Sequence, residues 1–362
     1  MGARRRPWGG THMKAIAFRE TGGPEVLRLV ELPDPQPGPG EVLIRVAYAG
    51  VNYGEVQHRL GDFGAPEGET VTGLEAAGHI AALGDGVTGP AVGDGTGVSG
   101  RSFGDGDGAR GLSVGDAVAA YLPDGGGYAE YVVAPAAFVF PLGGLDLRTG
   151  GGAALVLTTA YGVLAGAARI APGETVLIHA AAGGVGSAAA QIARALGATA
   201  VYGTVGTPEK AAYAKRFGYD AVFVRDGFGD AVRAATGGRG VDIVLDPVGG
   251  PTRLAGFEVL APFGRLAVYG EAGRHPDLRL PVLPLWKNNR TLTGYNIGDL
   301  ARRDPALVRT HALAALALAA AGDLHIDITD EYALPDAPQA HRVLQSGANR
   351  GKAVLAVAPP RP

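Results

Sequence analysis

The chain has 362 residues, 60 of them glycine and none cysteine, with a formal net charge of −3 at pH 7. That length allows two domains with substantial cores, and the near-neutral charge gives no electrostatic case for nucleic acid or an anionic membrane as partner. Disulfides, thiolate metal sites and cysteine nucleophiles are excluded by composition.

Met1–His12 carries Arg4, Arg5 and Arg6 but no apolar run, so it reads as a disordered extension and not as a secretory signal. No stretch is long and apolar enough to suggest a membrane span, and a cytoplasmic protein is expected. Lys14–Phe18, Leu27–Glu31 and Glu41–Val51 read as strands separated by Gly- and Pro-rich turns. Val71–Leu83, Asp116–Leu122 and Tyr128–Phe140 continue the pattern, which predicts a small β-barrel-like domain. Residues 89–110 interrupt it with Gly, Asp and Ser and read as a flexible insertion.

From Leu145 helices and strands alternate, which predicts a parallel, doubly wound sheet in an α/β fold. Ala153–Ala168 is a helix candidate. Thr175–Ala180 is an apolar strand, followed by Ala181, Gly183 and Gly186 in A-x-G-x-x-G spacing, a helix at Ser187–Leu196 and a strand at Thr199–Gly203. In a glycine-rich chain the spacing alone carries little weight. Its place between a strand and a helix makes it a dinucleotide-binding turn, whose backbone N–H groups approach a pyrophosphate. His179, on the strand before the turn, reads as a packed core residue. Further on come a helix at Pro208–Phe217, a strand at Ala221–Val224, a helix at Phe228–Thr236, and strands at Val241–Asp246, Arg265–Tyr269 and Thr291–Tyr295. Two helices, Pro305–Ala321 and Asp336–Ser346, precede a last strand, Ala353–Val357, which is expected to return to the first domain.

The end of the second strand of this unit selects the dinucleotide. An acid there would hold an NAD ribose. The sequence instead runs Tyr202-Gly203-Thr204-Val205-Gly206-Thr207-Pro208-Glu209-Lys210, with no acid at the strand tip. Lys210 and Arg225 are candidate partners for a 2′-phosphate, so NADPH is the expected cofactor.

Several motifs together resemble the medium-chain dehydrogenase/reductase superfamily, and within it the zinc-free quinone oxidoreductases. They are Gly50-Val51-Asn52, Gly73-Leu74-Glu75-Ala76-Ala77-Gly78, Val114-Gly115-Asp116-Ala117-Val118, Thr158-Thr159-Ala160-Tyr161, the run from His179 to Gly186, Gly203–Thr207 and Gly351-Lys352. The resemblance implies a GroES-like β-barrel catalytic domain (13–141 and 302–362) and a Rossmann cofactor-binding domain (142–301), with the nicotinamide in the cleft between them. It also implies a homodimer paired through cofactor-domain edge strands near Thr291–Tyr295.

The superfamily's zinc enzymes carry Cys where Asn52 stands and His where Leu74 stands, so no metal is expected. By resemblance Asn52 and Thr159 face the active site, with Tyr53 and Glu55 as further catalytic candidates and the proton donor open. Cofactor contacts are expected from Ala182, Gly183, Gly184, Val185 and Gly186 at the turn, and from Thr204, Gly206 and Thr207 beyond the second strand. Val248, Gly270 and Glu271 end later strands, and Asn349, Arg350 and Lys352 open the last one. With no metal Lewis acid, hydride transfer to a quinone or an α,β-unsaturated carbonyl is favoured, because conjugate reduction spreads the developing charge. Ketone reduction in secondary metabolism and non-enzymatic NADPH binding remain the alternatives.

Overall fold

The computed structural model describes residues 12–87, 111–275, 278–279 and 282–357. The expected insertion at 89–110 and the expected extension, His12 excepted, lie outside these residues. His12 itself opens the first strand, paired with Pro33.

In chain order the first part holds β1 (His12–Phe18), β2 (Arg28–Pro33), β3 (Glu41–Val51), α1 (Tyr53–Leu60), β4 (Thr70–Val71) and β5 (Glu75–Leu83). It continues with β6 (Ala117–Tyr121), β7 (Tyr131–Pro135), β8 (Val139–Pro141), α2 (Leu147–Gly151) and α3 (Ala154–Tyr161). The middle part holds β9 (Thr175–His179), α4 (Gly184–Ala195), β10 (Ala200–Val205), α5 (Pro208–Ala214), β11 (Ala221–Val224), α6 (Phe228–Ala235), β12 (Val241–Asp246) and α7 (Gly250–Glu258). After these come β13 (Leu260–Val268), α8 (Val282–Lys287), β14 (Thr291–Gly294), α9 (Ile297–Arg303) and α10 (Pro305–Ala320). The chain closes with β15 (Ile328–Ala333), α11 (Ala337–Gln345) and β16 (Lys352–Ala356).

Two compact units result. One comprises residues up to Leu155 with 328–348 and the residues from Ala353 on; the other comprises Val156–Asp327 with Asn349–Lys352. The division differs from the expected boundaries at 141/142 and 301/302. Helix α10 packs on α9, both fall in the second unit, and α10 buries Val308, Ala312, Ala315 and Leu316.

The first unit is built on antiparallel sheets. A seven-stranded sheet runs β15-β16-β3-β5-β6-β8, with β7 also on β3, and a three-stranded sheet runs β2-β1-β4. The last strand returns as expected: β16 lies antiparallel to β3, Ala353 opposite Val51. Ile16, Phe18, Ile44, Val118, Val139 and Leu355 lie in one core cluster. Burying each such side chain contributes about 1.5–3 kcal/mol.

The second unit holds a six-stranded parallel sheet in the order β11-β10-β9-β12-β13-β14. Read by chain sequence this is the 3-2-1-4-5-6 order of a doubly wound Rossmann sheet, with its switch point between β9 and β12. Strand β12 is buried along its whole length, as a strand covered on both faces must be. Helix α4 starts at Gly184, three residues earlier than the sequence suggests, and α7, α8 and α9 are additional to the expected helices.

Two buried histidines make the fold sensitive to acid. His179 on β9 is fully buried, with Nδ1 2.7 Å from Thr204 Oγ1 and Nε2 without a hydrogen-bond partner among the described residues. Burial, with a smaller push from Arg225 and against the pull of Asp246, lowers its pKa to about 4. In the first unit burial, then Arg59, lowers His341 to about 3. Below a pH of about 6.5 the unfolded chain therefore takes up protons that the native state refuses. The stabilisation is fully present above that pH and is lost as pH falls toward the native pKa, by about 3 kcal/mol for His179 alone. Urea unfolding of wild type and His179→Gln from pH 7 to 4 should show a shallower fall for the variant. An equally steep fall in both contradicts this assignment.

Candidate functional site

The turn between β9 and α4 is set by close backbone approach. Ala180 takes a left-handed φ of 56°, and Gly183 N–H donates to its carbonyl at 3.0 Å. A β-carbon on Gly186 would stand 2.4 Å from Ala180 O and 2.9 Å from Ala181 Cα, so only glycine fits there. Gly183 differs: its β-carbon would meet nothing nearer than 3.4 Å, so a side chain there intrudes on the space above the turn and not on the fold. The leading N–H groups of α4, from Gly184, Val185 and Gly186, lack carbonyl partners within the helix by geometry, and Ala182 immediately precedes its Gly183 N-cap. Tyr219 secures the turn from within. Its hydroxyl donates to Gly186 O at 2.7 Å, and its ring fills the space left by Gly203, where a β-carbon would lie 2.8 Å from Tyr219 Cε1. Sequence reading missed Tyr219, since nothing local marks it.

Four cations bracket this turn and the end of β10. Lys210 lies in the first turn of α5, and its pKa is lowered by partial burial, then by the like charges of Arg225 and Arg350. Arg225 N–H donates to Val205 O at 2.8 Å, and its Nη2 would be 3.8 Å from a β-carbon on Gly206. Gly351 pairs with Gly183 through a bridge, donating to Ala182 O at 2.8 Å, which lays Asn349–Lys352 beside the turn. Lys352 is 3% exposed, with Cδ 3.4 Å from where a Gly184 β-carbon would stand. Thr207 N-caps α5 and Gly206 is exposed beside it. Thr204 is buried at 1% exposure, with its Oγ1 2.7 Å from His179 Nδ1.

At the carboxyl ends of β12 and β13, Val248 N–H donates to Asp246 Oδ1 at 2.8 Å. Gly270 O accepts from Arg253 at 2.9 Å and Glu271 from the same guanidinium at 2.6 Å, so Glu271 is an ion-pair partner in this arrangement. Thr159, in α3, is 8% exposed.

In the first unit, Asn52 N-caps α1 and forms a capping box with Glu55, whose Oε2 accepts from Asn52 N–H at 2.8 Å. The Asn52 amide Nδ2 donates to Glu55 Oε1 at 3.2 Å and to Glu75 Oε1 at 3.0 Å. Both carboxylates are buried, Glu55 at 1% and Glu75 at 0% exposure. Glu55 also accepts from Leu74 N–H and Glu75 from Leu155 N–H. The Asn52 amide N–H groups are thus directed at two buried carboxylates in this arrangement. Gly50 makes room, since a β-carbon there would be 2.2 Å from Glu75 Oε1. Tyr53, the first residue of α1, is half-buried. Among the described residues no three His, Cys, Asp or Glu side chains are grouped as metal ligands, and no helix of the described residues is long and apolar enough to cross a membrane.

Comparison with known proteins gives the same picture. Residues 38–144 match the alcohol dehydrogenase GroES-like domain model and residues 184–313 the zinc-binding dehydrogenase model. A quinone oxidoreductase of Pseudomonas aeruginosa is 32% identical over 94% of this chain and 99% of its own length. The phthioceranic/hydroxyphthioceranic acid synthase of Mycobacterium tuberculosis is 32% identical over 94% of this chain, which spans only 15% of that protein. A mycobacterial protein solved in complex with NADPH superposes with a TM-score of 0.83 at 32% identity, covering 95% of this chain and all of the other. The chain belongs to the quinone oxidoreductase family of the medium-chain dehydrogenase/reductase superfamily.

Proposed function

We propose that the chain is an NADPH-dependent oxidoreductase that reduces a quinone or an α,β-unsaturated carbonyl without a metal ion. Lys210 in the first turn of α5 and Arg225 beside Gly206, at a strand end that carries no acid, carry the cofactor choice. Like charges gathered at one place repel, and a ligand phosphate relieves that repulsion while forming charge-assisted hydrogen bonds. The Gly183–Gly186 backbone and the amino end of α4 suit the pyrophosphate, with Lys352 as its counter-charge. The mycobacterial relative holds NADPH, which supports the same reading.

Bound NADPH supplies hydride. The protein's part is to orient the ring, keep water out and provide a proton. Asn52 and Leu74 offer neither thiolate nor imidazole, so the donor set does not suit catalytic zinc. Asn52, Glu55 and Glu75 act as a rigid support for the start of α1. Tyr53 presents a hydroxyl at that helix start, and it or solvent supplies the product proton. Polyketide synthases are among the similar proteins, and enoyl thioesters are a second substrate class to be tried beside simple enones and quinones.

We further propose a homodimer paired through β14, the outer strand of the parallel sheet. Leu292 on that strand is 41% exposed, and the neighbouring segments expose Trp286 (75%), Val282 (75%) and Phe263 (79%). An edge strand bordered by this much apolar surface is suited to pairing with its own copy.

Three outcomes follow. Quinones, enones or enoyl thioesters should drive NADPH oxidation followed at 340 nm, the standard reduced-nicotinamide absorbance; NADPH left unchanged by the whole panel, despite tight binding, sinks the reductase assignment. Lys210→Glu should weaken NADPH at least ~10-fold while barely changing NADH, as loss of one phosphate ion pair implies; equal losses count against the phosphate contact. In sedimentation, Leu292→Lys should shift the protein from dimer to monomer, and a wild-type monomer ends the edge-pairing idea.

A further inference from the structure

Arg253 makes three side-chain hydrogen bonds beyond its own helix, to Asp246, Glu271 and Gly270. It lies in α7 at 8% exposure, directly after the loop that leaves β12. Its Nε donates to Asp246 Oδ2 at 2.5 Å, its Nη1 to Glu271 Oε2 at 2.6 Å and its Nη2 to Gly270 O at 2.9 Å. Asp246, fully buried at the end of β12, uses its other oxygen to accept from Val248 N–H at 2.8 Å and Gly249 N–H at 3.1 Å. Glu271 uses its other oxygen to accept from His275 N–H at 3.1 Å. One guanidinium thus ties together the two loops that follow neighbouring parallel strands.

The backbone is shaped around this arrangement. Gly249 has a φ of +83°, and a β-carbon there would lie 1.9 Å from Glu271 Oε1. Burial opposes the Arg253 charge, but Asp246 and Glu271 outweigh it and its pKa is raised. A buried ion pair of this kind is a weak reason for stability, because apolar replacements of similar volume often do as well. It does fix geometry, since a planar guanidinium accepts its partners only along set directions.

The sheet order says what that geometry serves. The cation cluster lies at the ends of β10 and β11, on one side of β9. A dinucleotide whose pyrophosphate sits on the β9–α4 turn and whose 2′-phosphate meets that cluster must extend its other half over β12 and β13. We propose that Asp246, Arg253 and Glu271 are positioning residues for the nicotinamide half, holding the 247–249 and 270–273 loops at a fixed separation beneath it. The proposal rests on the NADPH reading above. It makes Arg253 neither a phosphate ligand nor a catalytic residue. It also reassigns Glu271 from cofactor contact to support.

Titration calorimetry with two ligands tests it. NADPH reports on both halves of the site, and adenosine 2′,5′-bisphosphate reports on the adenosine half alone. Arg253→Lys keeps the charge but cannot reach three partners. It should weaken NADPH about tenfold, equivalent to about 1.4 kcal/mol, and leave the bisphosphate unchanged. Glu271→Gln, at a partly exposed position, provides a milder variant if Arg253→Lys does not fold, with the same selective loss expected. Equal weakening of both ligands, or no change in either, overturns the clamp. A wild-type protein that binds neither ligand overturns the dinucleotide reading, and the clamp with it.

Discussion

The approach of Gly186 to the Ala180 carbonyl governs the second unit. A β-carbon there would come within 2.4 Å of that oxygen, so the chain can leave β9, turn and enter α4 only with hydrogen at this position. The turn is then fixed from three further directions. Ala181 N–H donates to Thr204 O on the next strand, Gly351 pairs with Gly183, and the buried Tyr219 hydroxyl holds Gly186 O. Its orientation is over-determined, which is what a site that must present bare N–H groups to a ligand requires. The ordering is done during folding, so binding does not have to supply it.

Charge is distributed around this turn in opposite ways. Toward β10 and β11 lie cations, with the Lys210 pKa lowered by partial burial and then by Arg225 and Arg350. Toward β12 and β13 lies a neutralised network, with Arg253 between two carboxylates. The first is an excess of positive charge; the second is close to neutral and holds two loops together. In the other unit Asn52 is held between Glu55 and Glu75, so the helix that starts with Tyr53 begins at one orientation. The Arg253 network and the Asn52 support both combine buried charge with dense hydrogen bonding, where removing one partner leaves the others unsatisfied at a cost of roughly 1–3 kcal/mol or more.

Much of this was legible in the chain itself. The β9 run is apolar and β-branched, as a strand covered on both faces must be, and the absence of an acid after β10 points to a phosphate-bearing dinucleotide. Helix boundaries were less accessible. Helix α4 takes in Gly184 and Gly186 because packing against β9 outweighs their low helix propensity. Helix α7 was hidden by Gly250, Pro251 and Gly256. The partners of side chains were least accessible. The Asn52 amide donates to Glu75, 23 residues away on β5, a partner that no local pattern reveals. Thr204 likewise meets His179 on the neighbouring strand, a contact that sequence spacing does not show. Tyr219 and Arg253 had no local signal at all, since their importance depends on carbonyls and carboxylates brought to them by the sheet.

The most direct measurement is a crystal structure of the protein grown with NADPH. The account predicts the pyrophosphate over the N–H groups of Gly184–Gly186 and the 2′-phosphate within ion-pair distance of Lys210 and Arg225. A dinucleotide bound elsewhere, or one with its 2′-phosphate turned away from those two side chains, would contradict it.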